Sequence, residues 1–192
     1  MTPGGGETEA QEQELVRRAR AGDRAAYDRL IARHAPRLLA IAQATMGNRA
    51  EAEDAAQEAL AQAWLKLDRF DETRALAPWL ARVTLNKCRD LLRRRHWRFF
   101  TENPFDRLDP ANEHDRPDPE DPVESIERRD ELRRVQAQIA RLPTSLREPL
   151  ILVAHEGYSQ GEAAAILGIS EKAVETRIYR ARARLRGGAQ NV

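Results

Sequence analysis

In the first half of the chain, apolar side chains recur every three or four positions, which is the spacing of one face of an α-helix. The pattern predicts four helices, which begin near Glu9, at Arg24, at Arg49 and near Pro78. Gly22 and Gly47 can end the first two helices, and Asp23 and Asn48 can cap the helices that follow. We therefore expect an N-terminal helical bundle.

The periodic pattern stops between Glu102 and Pro122, where eight acidic residues, two arginines and five prolines occur together. Proline removes a backbone donor that a helix needs, and charges of one sign repel each other. This stretch is therefore predicted to be a flexible acidic linker between two domains.

Helical spacing returns from about Val123, and a second short helix follows it and ends at Gly157. The first of these helices is predicted to turn four apolar residues inward: Leu132, Val135, Ile139 and Leu142. Ser159 and Glu162 then form the capping-box pattern S-x-x-E, which predicts the start of a helix. Gly168 is placed to end this helix. With Ser170 as the cap of a longer last helix, the segment predicts a helix-turn-helix.

The fold expected from these patterns is all-α, with two small helical domains joined by the flexible acidic linker. We expect residues 1–22 to hold a tail and the first helix, and residues 23–100 to form the bundle. The acidic, proline-rich linker then spans residues 101–125, the helix-turn-helix unit spans 126–188, and 189–192 is a tail.

The composition argues against disulfides, metal sites and membrane-spanning helices. The single cysteine, Cys88, excludes internal disulfides, and the four histidines lack the spacing of metal ligands: His34, His96, His114 and His155. We expect neither a metal nor a cofactor. No stretch approaches the roughly 20 apolar residues of a membrane helix, so we expect no membrane insertion and a cytoplasmic location.

The formal net charge of +1 conceals a strong segregation of charge. In the last helix, Val174, Ile178, Ala181 and Leu185 form an inward stripe. The opposite face then carries Lys172, Thr176, Tyr179 and Arg180, with Arg177, Arg182 and Arg184 on its flanks. Such a face is suited to the major groove of duplex DNA, although many cationic faces are merely solvated.

A second basic segment, residues 82–98, holds seven cationic residues and one acid, Asp90. Aromatic residues accompany it: Trp79, Trp97, Phe99 and Phe100. Cationic groups beside aromatic rings are suited to single-stranded nucleic acid, whose bases have left the stack. For Trp79, packing in the core is an equally good interpretation.

Asp54, Gln57 and Glu58 form a polar patch on an otherwise alanine-rich helix. Residue spacing alone does not distinguish a binding patch from the ordinary solvent-exposed side of a helix. The acids Glu53, Asp71 and Glu72 have no nucleophile, histidine–acid arrangement or glycine-rich phosphate loop beside them. The sequence therefore does not predict an enzyme.

Taken together, these motifs resemble the extracytoplasmic-function (ECF) group of bacterial RNA polymerase sigma factors. "AEDAAQEALAQAWLKLDRFD" is similar to the region 2 helix that docks on core polymerase, and "LAPWLARVTLNKCRDLLRRR" is similar to the segment that melts and reads the minus-ten element. The stretch from Leu142 to Arg186 resembles region 4, which reads the minus-thirty-five element.

The resemblance implies three sets of site residues. Contacts to the polymerase coiled coil fall on Asp54, Gln57 and Glu58. Minus-ten contacts fall on the specificity loop, about Arg69 to Ala75, and on the helix after it: Asp71, Arg74, Asn86, Arg89, Arg93 and Arg94. Minus-thirty-five contacts are expected from Lys172, Thr176, Arg177, Tyr179, Arg180 and Arg184. Glu175 departs from the pattern, because many relatives have Lys or Arg at that position.

The resemblance also implies the partners: core RNA polymerase, promoter DNA as duplex and as melted non-template strand, and an anti-sigma factor between the domains. The main alternative is an autonomous helix-turn-helix transcriptional regulator, because "ISEKAVETRI" is also similar to the recognition segment of response regulators. A third class, a polymerase-binding adaptor or RNA-binding protein, would use the first basic helix alone.

Overall fold

The computed structural model describes residues 5–101 and 134–189, and in these ranges all regular structure is helical. The N-terminal unit contains α1 (Gly5–Arg20), α2 (Arg24–Met46), α3 (Arg49–Lys66) and α4 (Leu76–Thr101), with a 3₁₀ turn at Leu67–Arg69. The C-terminal unit contains α5, described over 134–140, then α6 (Thr144–Leu150), α7 (Gln160–Leu167) and α8 (Glu171–Ala189). The all-α prediction is confirmed, and the predicted linker lies outside the described residues except for Thr101.

Local capping signals set the helix boundaries of the first unit. The Asp23 carboxylate accepts a hydrogen bond from the Ala26 amide, and the Asn48 side chain accepts one from Glu51 N, each at 3.0 Å. Gly47 ends α2 in the left-handed region, at φ 71°, as a glycine can without strain. These predicted caps are confirmed, whereas α1 begins at Gly5, earlier than the predicted Glu9.

The first unit is built around α2, which packs against α1, α3 and α4. Leu30, Ile41 and Leu80 are among the fully buried side chains of its core. The Tyr27 hydroxyl donates to the Leu60 carbonyl at 2.6 Å, and its ring meets Trp64 edge-on. Alanines on α3 let α2 and α4 approach closely around a second apolar cluster: Ala42, Met46, Ala52, Ala55, Ala56 and Cys88.

The second unit departs from the predicted inward pattern at Val135, which is 45% exposed, so its placement in the core was wrong. Burial increases toward the C-terminal end of α5 and just after it, since Ile139 is half-buried and Leu142, which follows the helix, is buried. The C-terminal end of α5 is joined to α6, because Arg147 Nη1 donates to the Ala140 carbonyl at 2.7 Å. Val135 lies more than a turn before this junction, and neighbouring side chains cover it less.

After Leu150, the chain winds more widely and forms a π-helical turn at Ile151–His155. The Glu156 amide donates to the Ile151 carbonyl at 2.9 Å, and Gly157 then ends the segment at φ 71°. The predicted stop at Gly157 is therefore confirmed, and the turn delivers the chain into α7.

Candidate nucleic-acid interface

The helix α7, which precedes α8, begins at a complete capping box. Ser159 Oγ accepts from the Glu162 amide at 3.2 Å, and the Glu162 carboxylate accepts from the Ser159 amide at 2.8 Å. The pKa of Glu162 is lowered chiefly by the bond from the Ser159 amide to its carboxylate, and then by the Ser159 hydroxyl, which donates to the same carboxylate at 2.8 Å. The predicted capping box is confirmed, and it fixes where α7 starts.

A tight turn then directs α8 away from α7. Gly168 has φ 68°, and Ser170 Oγ accepts from the Ala173 amide at 3.2 Å, so both predicted turn residues have the expected roles. α8 packs on α6 and α7 through Val174, Ile178 and Ala181, which are buried, and Leu185, which is half-buried. The inward stripe is confirmed, and it fixes which side of α8 meets solvent.

The outer side of α8 presents the residues expected there. Lys172, Arg180 and Arg184 are exposed, Tyr179 is 69% exposed, and Thr176 and Arg177 are half-buried. Guanidinium groups can fork to guanine, while the later arginines can contact phosphates. All six predicted minus-thirty-five residues therefore lie on one helix.

The start of α8 also contains an ion pair that sequence reasoning missed. Lys172 Nζ lies 2.8 Å from Glu175 Oε2, and the Thr176 hydroxyl donates to the Lys172 carbonyl at 2.8 Å. The signal was available, since Glu three residues after Lys is a common helical pair. Glu175 thus adds an acceptor beside the cations of the outer face.

The second basic surface lies where α3 and α4 form a cleft of about 420 Å³. Seven residues line it: Gln62, Lys66, Val83, Asn86, Arg89, Asp90 and Arg93. Arg89 Nη1 donates to Asn86 Oδ1 at 3.0 Å, and Arg93 is paired with Asp90. The predicted contacts Asn86, Arg89 and Arg93 therefore converge on one cleft, while Arg94 is exposed further along α4.

Gln62 and Lys66 complete this cleft from α3. Sequence reasoning missed both residues, because their role depends on how α3 and α4 pack and not on spacing within one helix. The amide of Gln62 offers donors and an acceptor, and Lys66 adds a cation. The cleft can therefore hold an anionic, hydrogen-bonding ligand such as a nucleotide.

The connection before α4 carries the other two predicted minus-ten residues. Asp71 accepts from the Thr73 hydroxyl at 2.7 Å and from the Thr73 amide at 3.1 Å, and these bonds hold the pKa of its carboxyl below the usual range. Arg74 Nε lies 3.3 Å from Asp71. Asp71 and Arg74 are exposed, so the loop presents polar groups on a locally bonded turn.

The aromatic residues of the basic segment have different positions. Trp79 is half-buried and stacks at a tilt on Phe70, with ring centroids 5.1 Å apart. Its ring supports the loop between α3 and α4, in agreement with the core interpretation. Trp97, by contrast, lies near the end of α4 and is 72% exposed.

Asp54, Gln57 and Glu58 are all exposed and lie on one side of α3, separated by three and four positions. Glu58 is paired with Lys87 of α4. The three predicted polymerase contacts are therefore brought together on an accessible helix face.

Two negative findings apply to residues 5–101 and 134–189. Within those ranges no cluster of histidine, cysteine or acidic side chains is arranged to hold a metal ion. None of the helices described there is both long and apolar enough to cross a membrane.

Comparison with known proteins identifies both units. Residues 30–98 match the family model for Sigma-70 region 2, and residues 132–185 match the model for Sigma-70, region 4. The chain is 42% identical over 175 residues to RNA polymerase sigma factor CnrH of Cupriavidus metallidurans, covering 89% of this chain and 90% of CnrH. It is 33% identical over 184 residues to the ECF RNA polymerase sigma factor SigM of Mycobacterium tuberculosis, covering 94% and 86%.

Solved structures support the same relationship. CnrH in complex with the cytosolic domain of CnrY has a TM-score of 0.69 and 34% identity, covering 94% of this chain and 97% of that chain. RpoE in complex with the anti-sigma factor NepR from Bartonella quintana has a TM-score of 0.70 and 25% identity, covering 86% and 97%. Because both region models match in the expected order and the relatives align over nearly their whole length, the chain belongs to the ECF group of bacterial RNA polymerase sigma factors.

Proposed function

We propose that this sigma factor binds core RNA polymerase, directs it to minus-thirty-five and minus-ten elements, and promotes strand opening. The observation that carries the proposal is the presence of two cationic surfaces of different shape: the convex outer side of α8 and the α3–α4 cleft. Residues 126–188 would act on duplex DNA, residues 23–100 on polymerase and melted DNA, and residues 101–125 as the tether.

At the minus-thirty-five element, α8 would enter the major groove with Lys172, Thr176, Tyr179 and Arg180 toward the bases. An arginine that forks to guanine contributes roughly 1–3 kcal/mol of discrimination against another base. Arg177 and Arg184 would contact phosphates, which makes this part of the affinity dependent on salt.

At the minus-ten element, the loop with Asp71 and Arg74 would meet an extruded base of the non-template strand, together with Asn86. Extrusion costs a few kcal/mol, which contacts in a preformed pocket can offset. Arg89, Arg93 and Arg94 would hold the phosphates of the same strand. These interactions require no catalytic residue, so we propose that the factor has no enzymatic activity of its own.

The exposed face of Asp54, Gln57 and Glu58 would bind the coiled coil of the polymerase's largest subunit. Two modest DNA sites held on one polymerase act at high effective concentration on the same promoter. This would make the factor dependent on core enzyme, and we therefore propose that it acts in the bacterial cytoplasm. An autonomous regulator would leave the match of residues 30–98 to Sigma-70 region 2 unexplained.

Regulation by an anti-sigma factor is the corresponding proposal for control. CnrH was solved with the cytosolic domain of CnrY, and RpoE was solved with the anti-sigma factor NepR. The similarity of this chain to both supports a partner of the same class.

Run-off transcription with and without core polymerase tests the proposal. We expect initiation at defined promoters only when this chain and core polymerase are both present. Arg180→Ala should weaken use of the minus-thirty-five element, and Asn86→Ala should impair use of the minus-ten element. Arg17→Ala, which removes an exposed pair with Glu14 on α1, is the control and should transcribe normally. Unchanged transcription by both DNA-contact variants, or tight promoter binding without polymerase, would contradict the proposal.

A further inference from the structure

Glu148, in the second unit, is hydrogen-bonded directly to Arg89, a predicted DNA contact in the first unit. Glu148 of α6 accepts from Arg89 Nε at 2.6 Å and from Arg89 Nη2 at 2.5 Å, so the guanidinium is held by both carboxylate oxygens. The Glu148 side chain is only 4% exposed, and this hydrogen bonding raises the pKa of Arg89. The pair is therefore a well-formed contact between the two units.

A second polar contact joins the units at another place. Arg37 of α2 lies 3.2 Å from Glu156 Oε2 through its Nε, and its Nη2 donates to the Glu156 backbone carbonyl. The guanidinium carbon stands 3.9 Å from the centre of the Tyr158 ring, which adds a cation–π contact. Arg37 thus binds the segment between the π-helical turn and α7.

Apolar packing accompanies these polar contacts. α7 lies against α4, and buried residues of both units form one continuous cluster. Arg82 of α4 lies beside the turn into α8, since a Cβ on Gly168 would be 3.8 Å from Arg82 Nη2. The second unit is therefore seated on the helix that carries the minus-ten residues.

This seating places Glu148 in competition with nucleic acid. A carboxylate and a phosphate present paired oxygens to arginine in the same forked geometry. Arg89 also lines the α3–α4 cleft and donates to Asn86, so two proposed minus-ten contacts are already engaged within the chain. A DNA phosphate that binds Arg89 has to displace Glu148.

We propose that the free chain is self-inhibited, with Glu148 of region 4 occupying the position that a DNA phosphate takes on Arg89 of region 2. This inference rests on the proposed function, because it assumes that the cleft binds the melted strand. Core polymerase, by holding the two regions apart on the promoter, would remove Glu148 and expose the site. A contact within the chain that favours the closed state lowers the apparent DNA affinity by the fraction of chains that are open.

Two full-length variants test the proposed self-inhibition. Glu148→Gln removes the charge that pairs with Arg89, and Glu156→Gln weakens the contact with Arg37, away from the cleft. Binding of a fluorescein-labelled, mixed-sequence single-stranded DNA is measured by anisotropy without polymerase. We expect affinity gains of roughly tenfold for Glu148→Gln and about threefold for Glu156→Gln.

Glu14→Gln is the matched control, since it makes the same change of net charge at an exposed pair on α1 and should change affinity less than twofold. Circular dichroism identifies any variant that does not fold. If Glu148→Gln or Glu156→Gln fails to fold, the affinity of the other one tests the proposal. If either folded variant binds no better than Glu14→Gln, the proposal is overturned. Run-off transcription by the wild-type holoenzyme reports separately on the proposed function. Failure of the self-inhibition proposal is therefore distinguishable from failure of that function.

Discussion

Cys88 offers a sharp test of the packing in the first unit. Its side chain is fully buried between α2, α3 and α4, in the cluster that contains Ala42, Met46 and Ala52. Because Cys88 is the only cysteine of the chain, any reaction with a thiol reagent reports on this position alone. We predict that the folded protein reacts with iodoacetamide very slowly.

The size of the effect follows from two observations. Burial, reinforced by the nearby Glu148 carboxylate, raises the pKa of Cys88 from 9.0 to about 12. Because the thiolate is the reacting species, that change lowers the reactive fraction at pH 8 about 1,000-fold. The lack of exposed surface slows the reaction further, so we expect protection of at least about 1,000-fold.

The assay compares the alkylation rate at pH 8 in buffer and in denaturing urea, followed by mass spectrometry. A control chain carries Ala61→Cys together with Cys88→Ala, which moves the thiol to an exposed site on α3 and should react at nearly the unfolded rate. A native rate for Cys88 within about tenfold of its unfolded rate would refute the reasoning. Confirmation would mean that Cys88 is a packing residue and does not sense oxidants in the folded protein.

Three further predictions concern stability. Ser159→Ala removes the capping side chain of α7 and should lower the free energy of unfolding by ~1 kcal/mol in urea titrations, whereas Ser159→Thr should retain most of it. Tyr27→Phe removes the hydroxyl that donates to the Leu60 carbonyl and should cost about 1 kcal/mol by the same measurement; an unchanged midpoint would contradict the 2.6 Å bond. The carboxyl pKa values of Glu162 and Asp23 are lowered in the folded state, so their contribution is present above pH 4.5 and is lost as the pH falls through the folded values. Melting temperatures from pH 7 to 3 should therefore fall less in a Glu162→Gln variant.

The features that sequence predicts well are those determined by neighbouring residues. Asp23 and Ser159 act as caps because their side chains reach amides three positions away, and Gly168 tolerates a left-handed turn that other residues resist. The inward stripe of α8 follows in the same way from helical period. Family resemblance then implied roles that periodicity does not contain, such as the polymerase contact expected of Gln57.

The features that sequence did not predict depend on how helices pack against each other. Val135 has the spacing of a core residue, yet its exposure depends on where α5 meets α6. Lys66 lines the α3–α4 cleft only because α3 packs beside α4. Arg37 and Glu156 are 119 positions apart, and no local signal links residues at that separation.

The π-helical turn at Ile151–His155 has a consequence for insertions and deletions in this family of chains. A wide turn accommodates one residue more than a regular α-helical turn. Loss of one residue there would restore regular winding and rotate the chain that follows by about 100° about the helix axis. Glu156 and Tyr158 would then point away from Arg37, so the length of this segment is constrained more tightly than its composition.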